Sequence, residues 1–600
     1  MKNNRILCYT RLPQDEMIYS KKLAYSMHLA YEDEKEEYVP LNLNSGILYA
    51  KATSNENGTM NAKSIKAPYL FALHDGSYGV IAVRTTADGE HDAESIGRAI
   101  VFQTKDFIHY DEIRMIDFGV QEYVEDVVCE YDAVGKQYQI RWKSEDGSWY
   151  QVYTKDILTK ECLLPSKKCE SYELPKVTTT IEGAVVRNTL SIPFEVYDKL
   201  VKKLSVPEMV QIQFPECVVV SNEQEIKDIG VYGIYSNGTV ERKHVEWDTT
   251  GIDFSKDGEY VLQGRVRRPH FKFPLAENRA DPCAYYWNGK YYFIATNDTD
   301  GNRSLYVRES DTFEGIQTAK EVLILDTNTY DHVKGLLWAP EFHTINGDLY
   351  IFHGATQGEF FEEECHVMKL KQGGNPTCAS DWSEPKRVLK KDGSYLCEAG
   401  KTISLDMTYF SWENECYVVW SQRQFIPDDL GAWLYIAKVD ENQPWILTTD
   451  PVVISKPEYG WANNHVFVDE GPYAIKRNGR LILTFSSALV DATYVVGMMT
   501  LEGENLLDCN SWRKCNYPIL SSRNVEGEYG PGHNSYFEDE YGELWSCYHA
   551  RNGINGPRSS GIRRVHFDMD QEPYLGMTEE KDVKEQFRNL KINVSVSTII

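Results

Sequence analysis

The sequence predicts an all-β protein made of several units, the last of them a closed ring of repeated sheets, and three observations carry this expectation. Tyr (39), Trp (13) and Gly (41) are abundant, which suits short strands and tight turns. Apolar residues alternate over short runs that end in Asn-Gly or Asp-Gly, while long helical periodicity is nearly absent. One pattern also recurs five times after residue 275. At 600 residues the chain exceeds what one core organises, so two to four domains are expected.

The repeats come first because they fix the architecture. The copies read Arg279-Ala280-Asp281-Pro282, Trp338-Ala339-Pro340-Glu341, Leu405-Asp406-Met407, Asp469-Glu470-Gly471-Pro472 and Gly532-His533-Asn534-Ser535, each followed by a turn and a second apolar run. Anchored at 282, 340, 407, 472 and 535, they step by 58, 67, 65 and 63 residues, with the turn seven places after each anchor. A hairpin of constant length is what that spacing requires. A single four-stranded sheet cannot bury both its faces, so the copies must stack about an axis, which predicts a five-bladed β-propeller over residues 269–600. Carboxylates stand where the inner strands begin: Asp281, Glu341, Asp406 and Glu470. Ring closure would gather them. Paired carboxylates in unlike environments are the means of general acid and base work on a glycosidic bond.

These strings resemble glycoside hydrolase family 43, and the fifth copy, with Tyr548-His549-Ala550-Arg551, is similar to the α-L-arabinofuranosidase members. The resemblance covers roughly residues 270–585. It implies an inverting, exo-acting hydrolase that releases terminal L-arabinofuranose from oligosaccharides or arabinose-substituted glycans. Asp281 then matches the general base and Glu470 the general acid. Asp406 matches the third carboxylate, which orients the acid and raises its pKa by repulsion. Inversion places base and acid about 6.5–9.5 Å apart. Trp338, Phe342 and Trp420 are read either as a platform under the sugar ring or as packing between blades. Glu341, His533 and Arg551 are further candidate substrate contacts. No cofactor is required. The resemblance also places His533 on the axis, where it would approach a structural calcium through water. Met407 and Cys283 depart from the family's usual residues, which affects pocket shape more than chemistry. A β-xylosidase using the same carboxylates and a non-catalytic carbohydrate-binding propeller are the alternatives. A fructan-cleaving retaining enzyme would show Asn-Asp-Pro-Asn where Ala-Asp-Pro-Cys stands here.

Ahead of the ring, residues 169–268 hold short strands with turns about every ten residues, read as a small sandwich. Its Ser236-Asn237-Gly238-Thr239 turn and Trp247-Asp248 pair resemble bacterial Ig-like modules, which implies a spacer. One helix is expected, Phe194 to Leu204, with Val196, Leu200 and Leu204 at four-residue spacing. Residues 1–168 are β-rich and contain blade-like pieces such as Lys66-Ala67-Pro68-Tyr69, without a carboxylate at the anchor. Fewer than three blades of the later size fit there. Their open edges would need covering, and the unit is expected to pack beside the substrate entrance.

A formal charge of −27, spread along the chain, excludes a phosphate backbone as partner. The partner is expected to be an oligosaccharide, with no membrane contact; oligomeric state is not legible. Thirteen cysteines without CxxC or metal spacing read as scattered thiols in a reducing compartment. With Arg11 interrupting the only apolar run near the start, the sequence gives no secretion signal, and a cytoplasmic location is expected.

Overall fold

A computed structural model describes residues 4–159 and 165–598. Strands dominate it, as the alternating pattern requires. The expected helix is present as Phe194–Leu204, burying Leu200 and Leu204 on one face. Among the described residues, no helix is long and apolar enough to cross a membrane. Among the described residues, the twelve cysteines form no disulfide.

Five sheets succeed one another after residue 275. Their first strands are Arg279–Trp287, Gly335–Ile345, Thr402–Trp412, Asp469–Arg477 and Tyr529–Glu538, and each pairs antiparallel with the strand that follows it. Each first strand packs against the next, and the fifth packs against the first. The short strand Ala276–Glu277 precedes the first sheet yet pairs with Arg558–Arg564 of the fifth. Hydrogen bonds between the start and the end of this region therefore tie it into a circle. Apolar side chains fill the gaps between neighbouring sheets, as with Phe342, Tyr292 and Leu305 between the first two.

One backbone feature repeats in all five first strands. A residue with positive φ sits within a register shift: Asp281 (48°), Ala339 (45°), Asp406 (57°), Gly471 (53°) and His533 (50°). Such bulges re-aim side chains, and positive φ is uncommon outside glycine. The same device appears at Ala67 (50°) in the strand Lys63–Ala72. Because the fifth bulge falls on His533, this copy aligns one residue earlier than the sequence anchor at Ser535 suggests.

The N-terminal part forms three four-stranded sheets, where fewer than three were expected, because one of them takes its fourth strand from beyond residue 168. One of them joins Ala184–Ser191 to the first strand, Arg5–Arg11. The open side of this array is covered by the ring: Met27, Leu48, Tyr49 and Leu200 share a core with Tyr459, Trp461, Leu483 and Phe485. Residues 209–266 give two small sheets. Into one of them the last strand, Asn589–Val596, inserts beside Gly258–Val266 and Cys217–Val220. An alternating strand does not declare which sheet it will join, so the sequence could not assign this one away from the ring.

Candidate active site

Asp281 sits at the start of the first ring sheet, buried, and its bulge turns the carboxylate toward the axis. Thr296 Oγ1 donates to Oδ2 at 2.7 Å and itself accepts from the Ala339 amide at 2.8 Å, which couples the carboxylate to the second sheet's bulge. Around Oδ1 stand Arg558 Nη1 (3.3 Å), His533 Nδ1 (3.3 Å) and His549 Nδ1 (3.1 Å). Burial alone would raise this carboxyl. The Arg558 guanidinium, followed by the two imidazoles, outweighs it and holds Asp281 well below the usual carboxylate range. Asp281 is therefore an anion at neutral pH.

Glu470 has the opposite environment. Its neighbour Asp469 is tied into the core by Lys514 Nζ (2.8 Å) and two serines, so strand alternation sends Glu470 toward the axis. Tyr494 donates its hydroxyl to Glu470 Oε1 at 2.6 Å. Burial raises the Glu470 carboxyl to about 7, with the Asp281 charge adding to it and the Tyr494 bond opposing it. Asp406 accepts from the Gly471 amide at 3.0 Å. Burial and the Glu470 and Asp281 charges push its carboxyl well above the usual range. Asp406 and Glu470 thus compete for a proton. Burial is the largest cause for both, and the repulsion between Asp406 and Glu470 is shared by the pair.

The other expected residues divide. His533 is buried, and desolvation lowers its imidazole to about 4, so it faces Asp281 as a neutral ring. Glu341 lies buried and bonded to His343 Nε2 at 2.8 Å; it reaches Asp406 only through its charge. Trp338 is partly exposed, its indole N–H bonded to Asn302 at 2.9 Å. Phe342 and Trp420 do not serve as a platform: both are fully buried between sheets, where volume, not a sugar, dictates an aromatic ring. Arg551 is also displaced from the carboxylates, for its guanidinium binds the carbonyls of Gly556 and Val490. Arg558, directly across the strand pair from Arg551, takes that place. The sequence reading missed Arg558, His549, Tyr494 and Thr296. It also missed Phe360, Phe361 and Phe425, which cluster beside Trp338 with ring centroids 5.0–6.2 Å apart.

A directly ligated calcium does not fit this donor set. Among the described residues, no three His, Cys, Asp or Glu side chains gather as metal ligands. Calcium prefers oxygen, whereas the unpartnered atoms beside Asp281 are nitrogens, Nε2 of His533 and of His549.

Residues 271–573 match the model of "Glycosyl hydrolases family 43". A protein of Streptomyces chartreusis named extracellular exo-alpha-(1->5)-L-arabinofuranosidase is 33% identical over 294 residues, 48% of this chain and 85% of that protein. One of the same name from Streptomyces avermitilis is 31% identical over 51% of this chain and 63% of its own length. Alpha-L-arabinofuranosidase 43 of Humicola insolens is 32% identical over 50% and 62%. The crystal structure of an alpha-L-arabinofuranosidase from Lactobacillus brevis superposes with a TM-score of 0.46 at 29% identity, covering 52% of this chain and 98% of that one. Two of these relatives are named extracellular, which points to secretion and overturns the cytoplasmic expectation. The family's sequence pattern thus spans the whole ring that gathers these carboxylates, and the chain belongs to glycoside hydrolase family 43 and is a glycoside hydrolase.

Proposed function

We propose that this protein is an inverting, exo-acting α-L-arabinofuranosidase working from a five-bladed β-propeller. One observation carries the reading: carboxylates from separate sheets meet at the ring's centre with opposed proton affinities, Asp281 held ionised and Glu470 raised to about 7. Asp281 accepts a proton from the attacking water. Glu470 donates its proton to the departing oxygen, and Asp406 sets the position of the Glu470 strand through the Gly471 amide. Arg558, His533 and His549 keep Asp281 charged and aimed. The arabinofuranosidase names of the relatives support the choice of sugar. The Ig-like assignment of residues 169–268 belongs to the same proposal. A calcium near the axis would be reached from His533 Nε2 through water.

Turnover of nitrophenyl α-L-arabinofuranoside against nitrophenyl β-D-xyloside tests the sugar. Glu470→Gln should lower turnover of an α-1,5-linked arabinofuranosyl oligosaccharide, whose leaving oxygen needs a proton, about 10²–10⁴-fold with binding retained. Undiminished activity would defeat the acid assignment. Preference for the xyloside would make the protein a β-xylosidase, and NMR of the first-formed anomer tests inversion.

A further inference from the structure

Chain direction defines the catalytic face of the ring. In every ring sheet the carboxylate end is where the first strand begins and the second strand ends. Loops entering the first strand, and loops joining the second strand to the third, therefore share that face. The first short helix of the chain, Glu16–Tyr19, lies against two such loops of the fourth sheet, 456–468 and 488–494. Ser20 Oγ donates to Asn464 Oδ1 at 3.1 Å and Lys22 Nζ to the Asn463 carbonyl at 2.6 Å. Glu16 lies 3.8 Å from His465, whose other ring nitrogen is 3.0 Å from Asp491. From the fifth sheet's entry loop, Arg523 binds the Leu43 carbonyl at 2.9 Å and lies over the Tyr19 ring.

This helix is anchored underneath and open above. Tyr19 is buried, whereas Ile18 is 51% exposed. Leu489, 43% exposed, donates its amide to the Asn464 carbonyl, and Ser20, two residues after Ile18, bonds the side chain of the same asparagine. Glu470 belongs to this fourth sheet, and its loop 488–494 carries Tyr494, which holds the acid. A general acid stands beside the oxygen it protonates. The sugar that leaves therefore departs on the fourth-sheet side, where the N-terminal helix stands.

We propose that Glu16–Ser20, from the N-terminal part of the chain, forms one wall of the subsite for the leaving sugar, with Ile18 and Leu489 offering apolar surface to its C–H face. This rests on Glu470 being the acid. The test uses the full-length chain and compares kcat/KM on an α-1,5-linked arabinofuranosyl trisaccharide with that on nitrophenyl α-L-arabinofuranoside. Ile18→Trp, at an exposed position, should leave the melting temperature nearly unchanged and lower the trisaccharide-to-aryl ratio by about fivefold or more, chiefly through KM. An unchanged ratio overturns the wall. An equal fall on both substrates overturns it too, because that pattern reports a change on the other side of the scissile bond; a fall in kcat alone on the trisaccharide also overturns it, because that reports displacement of the acid, on which the nitrophenolate leaving group depends little. Wild-type protein inactive on both substrates overturns the arabinofuranosidase reading itself.

Discussion

Three acidic side chains in one buried cluster cannot all be ionised, and the chain decides which one is by what it places around each. Asp281 receives a guanidinium and two imidazoles; Glu470 receives burial and a single tyrosine hydroxyl. The acid works only while protonated, so activity should fall as pH rises through about 7, the value to which Glu470 is raised. A hydrogen bond to a carboxylate favours its charged form and lowers its pKa. Tyr494→Phe removes that bond and should move the alkaline limb of the kcat/KM profile upward; a limb that stays in place or moves downward would contradict the geometry. The carboxylates themselves were legible in the sequence because they stand at repeat anchors. Arg558 was not, since choosing between it and Arg551 depends on the register across the loop 552–557, and no periodicity encodes that register. Phe342 and Trp420 misled for a related reason: an aromatic beside an anchor fills the space between sheets as readily as it supports a sugar.

At the scale of the strand, the recurrent bulge does the positioning. It lets the same backbone present Asp, Ala, Asp, Gly and His at five equivalent places, so chemistry changes from sheet to sheet without altering the frame. Gly471 is the most constrained of these. A Cβ there would lie 3.1 Å from the His533 ring at φ +53°, and its amide is the one that holds Asp406. Gly471→Ala should cost about 1–2 kcal/mol from the left-handed backbone alone. It should also reduce kcat, because both His533 and Asp406 must shift; a variant with wild-type melting temperature and kcat would show that the contact is slack. The helix Phe194–Leu204 and the hairpins of the ring could be read from periodicity and turn residues, which act locally. The left-handed conformation at Asp281, Ala339 and Asp406 could not, as nothing in those side chains announces it.

Across the whole molecule, the units are joined by charge as well as by apolar packing. Asp582 binds Lys243 at 2.9 Å and the Arg564 guanidinium at 2.5 Å, and Arg564 also binds Glu241 at 2.8 Å, so the small sheets and the fifth ring sheet share one buried network. Asp582→Ala leaves two buried cations short of their partner and should cost about 3–5 kcal/mol in urea unfolding, far more than an exposed pair would. A loss below about 1 kcal/mol would mean that solvent reaches the network freely. The sequence indicated several units, yet gave little sign of how they interlock, because contacts between residues hundreds of positions apart leave no local pattern. The insertion of Asn589–Val596 between Cys217–Val220 and Gly258–Val266 illustrates this most plainly. It also bears on biosynthesis. As the polypeptide emerges from the ribosome, residues 217–266 must wait, with two strand edges unsatisfied, until more than three hundred further residues have been translated. The sheet of this middle unit is thereby kept from completion until Asn589–Val596 has emerged.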